Sequence, residues 1–526
     1  MPTARIARIV GLMLAAPVAH ASDSDFSMRP LLWVGQPVAG MPGVQVGSFV
    51  FGRGLSDAGE ISAWVNLSGP GGGAGTMAAV RVTREGVVRP LHLSSFNLFE
   101  QLAYAGVFAL YRTPAIGPSG HVAFLPFYES GSLRRSLFIA PPDGDAANLL
   151  PSPFVVPAAG GYELNVRHLL GVPGPGGEVN FLVSKSGVNE EAVIHRSAAG
   201  AFDAPFPGSP GGKLSVDQDP PSVAGNTTLR VQSLQSTTNE LWRVGADGTA
   251  GFIAAPGTPI AGTGGATLRS PDRVAILRDQ TVILRSQTVL QGVLGSMAYF
   301  AARGDGTISR VLGPGDPILN KPGWAIARVA VNREVGFTPD GRGISVATYN
   351  HPRHPASREA IVALDAAEPG QARILAEPGD PTADGRWVIS QIYGTHQDEE
   401  SYSQFAVSPA GFGLFRAILR DADNPTLTTH AYCLTDLNGG APRVVLRTGQ
   451  LIDGGDGLQR KVASLFGHGV YNAFSGSFAN NAADFVVSIR YGDNTSGVYL
   501  ITVPEPATAA ALFAGLGAIR RRRRRA

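Results

Sequence analysis

A turn that ends in glycine and leads into an apolar strand recurs along this chain at intervals of about 60 residues. Five copies keep the glycine: Gly59, Gly120, Gly177, Gly341 and Gly411. A degenerate copy at Phe478–Val487 is the last of the series. The 164-residue gap between the third and fourth glycines has room for about two further degenerate copies, one of them at Arg278–Leu284. A short unit repeated at a fixed period buries its apolar face only by stacking on its neighbours. This repeat therefore constrains the fold more than any other feature.

A second element, a tight turn of the Gly-x-Pro type, alternates with the first. Its copies are Val34–Pro37, Ala255–Pro259, Gly313–Pro317 and Glu377–Pro381, with a relative at Arg447–Gln450. Glycine reaches positive φ at no steric cost, and proline fixes φ near about −65°. Each copy is therefore expected to be rigid.

The two elements divide each unit into about four short strands. The 67 glycines and 39 prolines supply the turns, and 44% hydrophobic residues suffice to fill a large core. Residues 22–502 hold about eight units of this length. Four-stranded units repeated about four to eight times are typical of β-propellers. The sequence thus predicts an all-β, propeller-like ring of roughly seven or eight four-stranded repeats, with a string of small β-sandwiches as the alternative.

The first 21 residues have the pattern of a signal peptide. Arg5 and Arg8 precede an apolar stretch of eleven residues, 9–19, which ends in the small-residue pattern Ala19-His20-Ala21. We expect an N-terminal signal helix, cleaved after Ala21 by signal peptidase, followed by a repeat domain over 22–502.

The C-terminal segment, 503–526, combines three features in a fixed order. Pro504, Glu505 and Pro506 precede an apolar run over 507–519, and the chain then carries Arg520, Arg521, Arg522, Arg523, Arg524 and Arg525. The apolar run of 13 residues is shorter than the roughly 20 that a stable spanning helix needs. It predicts a short hydrophobic helix that anchors the precursor transiently in the inner membrane, with the arginines on the cytoplasmic side.

This arrangement resembles the PEP-CTERM sorting signal of Gram-negative bacteria. The resemblance implies recognition by an exosortase, removal of the tail near Pro504–Pro506, and a destination at the cell surface or in the extracellular matrix, where exopolysaccharide is a possible partner. The body is similar to a class of tandem-repeat surface proteins with the core Asn-x-x-Gly-x-x-Ala-Phe. Gly120 to Phe124 keep Gly-x-x-Ala-Phe, with Gly117 in place of Asn.

The charge of the body argues against a nucleic-acid partner. The chain has 43 Lys plus Arg and 41 Asp plus Glu, but without Arg5, Arg8, the terminal arginines and Glu505 the count is 35 against 40. A nucleic-acid binder carries basic charge on its folded surface, whereas this body has a net charge of about −5.

No familiar catalytic motif occurs in the sequence. The zinc-protease helix H-E-x-x-H, the nucleotide-binding P-loop and the G-x-S-x-G nucleophile elbow are all absent. The single cysteine, Cys433, excludes an intramolecular disulfide and is expected to be a small buried side chain. We therefore expect no enzyme activity and no cofactor.

Three weaker candidates for a metal or sugar site remain. His351 and His354 would need a third ligand such as Asp365 or His396. Asp453, Asp456 and Asp305 lie in glycine-rich turns that could hold calcium, and Asp398 and Glu400, beside Tyr402, could act as paired carboxylates on a sugar. For each, an ordinary turn or solvated loop is the alternative.

Two hypotheses about function follow. The first is an exported surface or matrix protein with a structural, adhesive or ligand-binding role. The alternative is a propeller-fold, glycan-active lyase or hydrolase with a site at the central channel.

Overall fold

The computed structural model describes residues 26–52, 54–69, 76–94, 113–125, 136–150, 154–188, 190–206, 213–215, 225–232, 239–329, 335–351, 354–392, 405–465, 478–479 and 484–503. The signal peptide, the sorting signal from Pro504 to Arg525, and positions 396, 398, 400 and 402 lie outside these ranges. No helix within them is long and apolar enough to cross a membrane.

The described chain forms eight antiparallel sheets, numbered here as blades 1 to 8. The first strand, β1 (Ser27–Trp33), belongs to blade 8. Blade 1 contains β2 (Gln45–Phe51), β3 (Ile61–Ser68), β4 (Met77–Val82) and β5 (Val88–Ser94). Blade 2 contains β6 (Ala115–Ile116), β7 (Val122–Phe124), β8 (Leu137–Ala140) and β9 (Ala147–Leu150). Blade 3 contains β10 (Phe154–Val155), β11 (Glu163–Leu170), β12 (Val179–Lys185), β13 (Glu191–Arg196) and β14 (Phe202–Phe206), with a 3₁₀ turn at Pro157–Ala159.

The second half of the chain continues the series. Blade 4 contains β15 (Lys213–Ser215), β16 (Thr227–Gln232), β17 (Asn239–Val244) and β18 (Ala250–Ala254). Blade 5 contains β19 (Thr267–Leu268), β20 (Asp272–Ile276), β21 (Val282–Leu290), β22 (Val293–Ala302) and β23 (Ile308–Leu312). Blade 6 contains β24 (Ala325–Val329), β25 (Val335–Phe337), β26 (Arg342–His351), β27 (His354–Asp365) and β28 (Arg373–Ala376). Blade 7 contains β29 (Trp387–Ile392), β30 (Ala406–Ser408), β31 (Phe412–Asp421), β32 (Thr428–Asp436) and β33 (Arg443–Arg447). Blade 8 contains β34 (Leu451–Asp453), β35 (Gln459–Ser464), β36 (Phe478–Ala479), β37 (Asp484–Tyr491) and β38 (Ser496–Thr502), together with β1.

Apolar clusters between successive blades hold the ring together. Blades 5 and 6 share a cluster that includes Tyr299 and Tyr349, and comparable clusters join blades 6 to 7 and 7 to 8. The series closes because Val486 and Leu500 of blade 8 pack with the core of blade 1. The predicted all-β propeller is confirmed, with eight sheets.

Blade 8 joins the two ends of the described chain. β1 pairs with β38 from Ser27 opposite Thr502 to Trp33 opposite Gly497. Nearby, Arg84 of blade 1 donates two hydrogen bonds, of 2.7 and 3.0 Å, to the carboxylate of the fully buried Asp484. Bidentate pairing of this kind fixes both distance and orientation, so it holds blade 1 against blade 8.

Each blade has four main strands, which in blade 1 are β2 to β5 in chain order. The repeat glycines lie at the turn between the first and the second main strand. Their φ angles are 80° at Gly59, 86° at Gly120, 79° at Gly177, 97° at Gly341 and 91° at Gly411. In blade 5 the same turn has Gln280 with a φ of 69°, a conformation that side chains other than glycine rarely adopt. The repeat is thus present there without its glycine.

The Gly-x-Pro turns share one geometry. In the copy at Glu377–Pro381, Gly379 has a φ of 104°, and its N–H donates to the carbonyl of Ile389 in the next blade's first strand. Asp380 Oδ2 accepts the N–H of Glu377 at 2.9 Å. The residue equivalent to Asp380 makes the same bond in the four other copies, through Gln36, Thr258, Asp316 and Gln450.

Strand direction places all of these Gly-x-Pro turns on one side of the ring. Each strand reverses the previous one, so the Gly-x-Pro turns and the hairpins between the second and third main strands lie on one face, which we call the upper face. The repeat glycines lie on the opposite, lower face.

Candidate functional site

An open cleft of about 530 Å³ lies on the upper face, where blade 7 meets blade 8. Blade 7 contributes Trp387, Leu427 and the threonines at 428, 429 and 448, together with Arg447. Blade 8 contributes Lys461, Val462 and Ala463 from β35, and Gly492. The cleft therefore spans a seam between two repeats.

Arg447 is placed by a tryptophan at the start of its own blade. Trp387 is almost fully buried, and the Arg447 guanidinium lies 5.2 Å from the centre of its ring. Arg386 lies 5.4 Å from the same ring, so two cations share one indole. Burial lowers the pKa of Arg447, the charge of Arg386 lowers it further, and the carboxylate of Asp384 opposes both effects.

A pair of threonines joins the two strands that border the cleft. The hydroxyls of Thr429 and Thr448 are 2.9 Å apart, and Thr429 Oγ1 also donates to the Thr448 carbonyl at 3.0 Å. The backbone N–H of His430 donates to Thr448 Oγ1 at 3.2 Å. These bonds engage the Thr429 and Thr448 hydroxyls within the protein and hold the two strands together. The neighbouring Thr428 is exposed at the cleft, and its hydroxyl can donate to and accept from a bound hydroxylated ligand.

The cations of the cleft form no ion pair with a described carboxylate. Within the described ranges, no carboxylate oxygen lies within 4.0 Å of Lys461 Nζ or of the Arg447 guanidinium. The backbone carbonyl of Lys461 accepts the N–H of Gly492, which ties β35 to the turn that follows β37. An acidic body thus carries a local patch of positive charge.

The equivalent position in blade 6 shows how unusual this charge is. Trp324 stands two residues before Ile326, the acceptor of the turn glycine Gly315, just as Trp387 stands two residues before Ile389. Where blade 7 has Arg447, blade 6 has Glu377. The Glu377 carboxylate pairs with Lys321 and accepts a hydrogen bond from the Tyr349 hydroxyl. The blade 6 site is internally neutralised, whereas the blade 7 site is not.

Further positive charge lies in the interface between blades 7 and 8. Arg416 on β31 is 1% exposed and stands opposite Tyr432, whose hydroxyl donates to the Leu465 carbonyl at 3.0 Å. His430 lies two residues before Tyr432 on β32. Burial lowers the pKa of His430, and the nearby Arg416 charge lowers it further.

The histidine candidate for a metal site does not assemble as predicted. His351 and His354 pair with each other at one end of the hairpin of β26 and β27, and Asp365 pairs with Arg342 at the other end. Asp365 therefore cannot reach the pair. The His351 ring lies 5.3 Å from the ring of Trp324 and packs as part of that aromatic cluster.

The calcium candidates are occupied by protein groups. Arg460 donates to both carboxylate oxygens of Asp456, at 2.8 and 2.7 Å, and to Asp493 at 3.1 Å. Asp453 accepts backbone N–H groups of its own turn, and Asp305 accepts the N–H of Thr307. The described residues hold no group of three His, Cys, Asp or Glu side chains able to bind a metal ion.

Sequence reasoning missed the cleft, although a signal was present. Aligning the Gly-x-Pro turns places Arg447 opposite Glu377, which marks a reversal of charge at one site of the repeat. What the alignment does not contain is Lys461, because it comes from the next blade and reaches the cleft only when the two sheets stack.

No protein-family model matches the sequence, and no curated relative matches it either. Solved structures are similar in fold. A puromycin hydrolase is 14% identical, with 90% of this chain and 60% of that one covered at a TM-score of 0.36. Porphyromonas gingivalis dipeptidyl peptidase 4 is 11% identical, with 86% and 58% covered at 0.40. The β-propeller domain of the Trilobed protease from Pyrococcus furiosus is 9% identical, with 76% and 97% covered at 0.34. The chain spans about 60% of the length of the first two, and likeness at this level shows the fold.

These findings correct two expectations. The similar structures include a puromycin hydrolase and peptidases, which contradicts the predictions of a structural, adhesive or ligand-binding surface protein and of no enzyme activity. The error has a physical reason. A site that is built from loops of several blades leaves no local sequence motif such as H-E-x-x-H or G-x-S-x-G.

Proposed function

We propose that this chain is an exported, propeller-fold enzyme that cleaves an acidic polysaccharide, as a lyase or a hydrolase. The observation that carries the proposal is the cleft between blades 7 and 8, where Arg447 and Lys461 form no ion pair with a described carboxylate and the Thr428 hydroxyl is exposed.

Charge and shape together favour an acidic sugar chain. A carboxylate or sulfate satisfies the two cations, and arginine binds such groups through paired hydrogen bonds. The exposed Thr428 hydroxyl suits the ring hydroxyls of a sugar, and the half-exposed Leu427 offers an apolar edge. A cleft of about 530 Å³ that is open to solvent accommodates part of a longer polymer.

In either reaction the cleft binds the substrate. In a lyase, neutralising the substrate carboxylate makes the neighbouring C–H more acidic, and this task falls to Arg447 or Lys461. In a hydrolase, two carboxyl groups flank the bond. Asp398 and Glu400, two residues apart in the sequence, are our candidates for that pair.

Export is part of the same proposal. Signal peptidase would cleave after Ala21, and an exosortase would process the segment around Pro504–Pro506. Processing would release the enzyme to the cell surface or matrix, where acidic exopolysaccharide would be its substrate.

The test is an activity assay on matched polymers. Full-length protein is incubated with uronate-containing, sulfated and neutral polysaccharides, and with peptides. New reducing ends report hydrolysis, and the ultraviolet absorbance of an unsaturated uronate reports elimination. We expect activity on an acidic polymer only.

Substitutions then connect that activity to the cleft. Arg447→Gln and Lys461→Gln should each raise KM by roughly 3- to 10-fold, about 1 kcal/mol of charge-assisted binding. Arg303→Gln, on the lower face, is the control and should change nothing. Cleavage of neutral polymers or peptides alone would contradict the proposal.

A further inference from the structure

The hairpin of β21 and β22 in blade 5 reaches out from the upper face. Its last pair is Leu290 opposite Val293, and the turn between them is Gln291-Gly292, with φ angles of 50° and 79°. Two successive positive φ values are typical of the tight type I′ turn that suits the twist of a hairpin. The tip is therefore a regular extension of the sheet.

One edge of this hairpin is open. β23 pairs with β22 only from Tyr299 to Ala302. In the described residues, β22 has a paired neighbour on one side alone from Val293 to Ala298, where β21 covers it. An open edge presents N–H and C=O groups ready to bond to another strand.

The same edge is protected in the two blades that follow, blades 6 and 7. In blade 6 the corresponding strand, β27, carries Pro355 and Arg358, and the hairpin of blade 7 carries Asp421 and Asp423. Prolines and charges at these places block edge-to-edge pairing. In blade 5, residues 286–302 contain no proline and no charged side chain.

The edge also exposes apolar side chains. Val293 is 70% exposed, Leu294 is 48% exposed and Leu290 is 42% exposed. Burial of such side chains against a partner is favourable, by about 25 cal/mol for each Å² removed from water.

We propose that two copies of this chain associate through this edge, with Val293–Ala298 of one copy pairing antiparallel with the same residues of the other. The open backbone groups call for a β-strand as partner, because a lipid surface cannot satisfy them. Antiparallel pairing of identical strands follows a two-fold axis, which makes the contact closed and self-complementary. The absence of charge removes the like-charge repulsion that would otherwise oppose self-pairing.

The contact is small, so the association should be weak, with a dissociation constant in the range of roughly micromolar. Sedimentation velocity of the full-length protein in a mild detergent, over a wide concentration range, measures it. We expect a growing dimer fraction in the wild type, and in Leu294→Lys a dissociation constant at least about tenfold higher. The melting temperature of the variant verifies that it is folded.

Cysteine cross-linking identifies the contact independently. The native Cys433 is fully buried, so an introduced cysteine is the accessible one. Ser296→Cys, on the exposed edge of β22, should form a disulfide dimer under mild oxidation, whereas Ser357→Cys, on the charged edge of blade 6, should not. A wild type that is monomeric throughout, a Leu294→Lys variant that dimerises equally well, or equal cross-linking of both cysteine variants would each overturn the proposal.

Discussion

At the scale of single residues, Glu359 on β27 is in an unusual electrostatic state. One of its carboxylate oxygens, Oε1, is buried and accepts no hydrogen bond from the described residues. Removal from water penalises the charged form and raises the pKa of Glu359 to about 7. Nothing in the sequence around Glu359 indicates this, because the side chains that exclude water come from folding.

The raised pKa makes stability depend on pH. Between about 4.5 and 7, folded Glu359 holds its proton while the unfolded chain loses it, so this site lowers the free energy of unfolding as pH rises through that window. Glu359→Gln should therefore be more stable than the wild type at pH 8, by about 1 kcal/mol after allowance for solvent screening, with little difference near pH 4. Thermal unfolding at the two pH values measures this. The exposed Glu368→Gln serves as control, and a shift that is the same at both pH values would contradict the prediction.

At the scale of elements, the Gly-x-Pro turn is the unit that connects one blade to the next. The sequence predicts its rigidity from glycine and proline, and Gly379 at a φ of 104° has the expected conformation. The sequence does not predict why the residue before proline is Asp, Gln or Thr. That residue caps a backbone N–H three positions earlier, as Asp380 does for Glu377, and the bond depends on the closed turn.

The cap can be tested at Asp380. Asp380→Ala should lower the stability by about 1 kcal/mol, because a backbone donor loses its acceptor. Asp380→Asn keeps an acceptor oxygen and should retain most of the stability. Melting temperatures of the two variants decide the matter, and equal losses would show that charge rather than the cap is responsible.

At the scale of the whole molecule, the ring closes between residues 400 positions apart. Arg84 and Asp484 meet because β1 completes blade 8 and brings blade 1 beside it. Ser27 and Thr502 pair on the lower face, whereas the cleft opens on the upper face. The proposed sorting segment therefore begins on the side of the molecule opposite the proposed substrate.

Closure should be sensitive to Asp484. Asp484→Ala removes the buried carboxylate that pairs with Arg84, and we expect the free energy of unfolding to fall by about 2–4 kcal/mol. The loss is smaller than for a fully buried pair because Arg84 is partly exposed. Asp340→Asn, at an exposed carboxylate that pairs with Arg342 and hydrogen-bonds Thr338, should cost less than about 1 kcal/mol. Thermal unfolding compares the two, and equal effects would mean that the Arg84 pair does not hold the ring closed.

The sequence by itself determined the class of fold, the approximate number of blades and the position of the turns. These follow from glycine, proline and alternating apolar residues, whose effects are local and repeat with the chain. Tertiary structure alone decided that Arg447 and Lys461 share a cleft, that Arg460 occupies the aspartates of the supposed calcium turn, and that Asp365 lies far from His351. Each of these depends on the stacking and register of strands, which bring together or separate residues whose spacing in the sequence carries no such information.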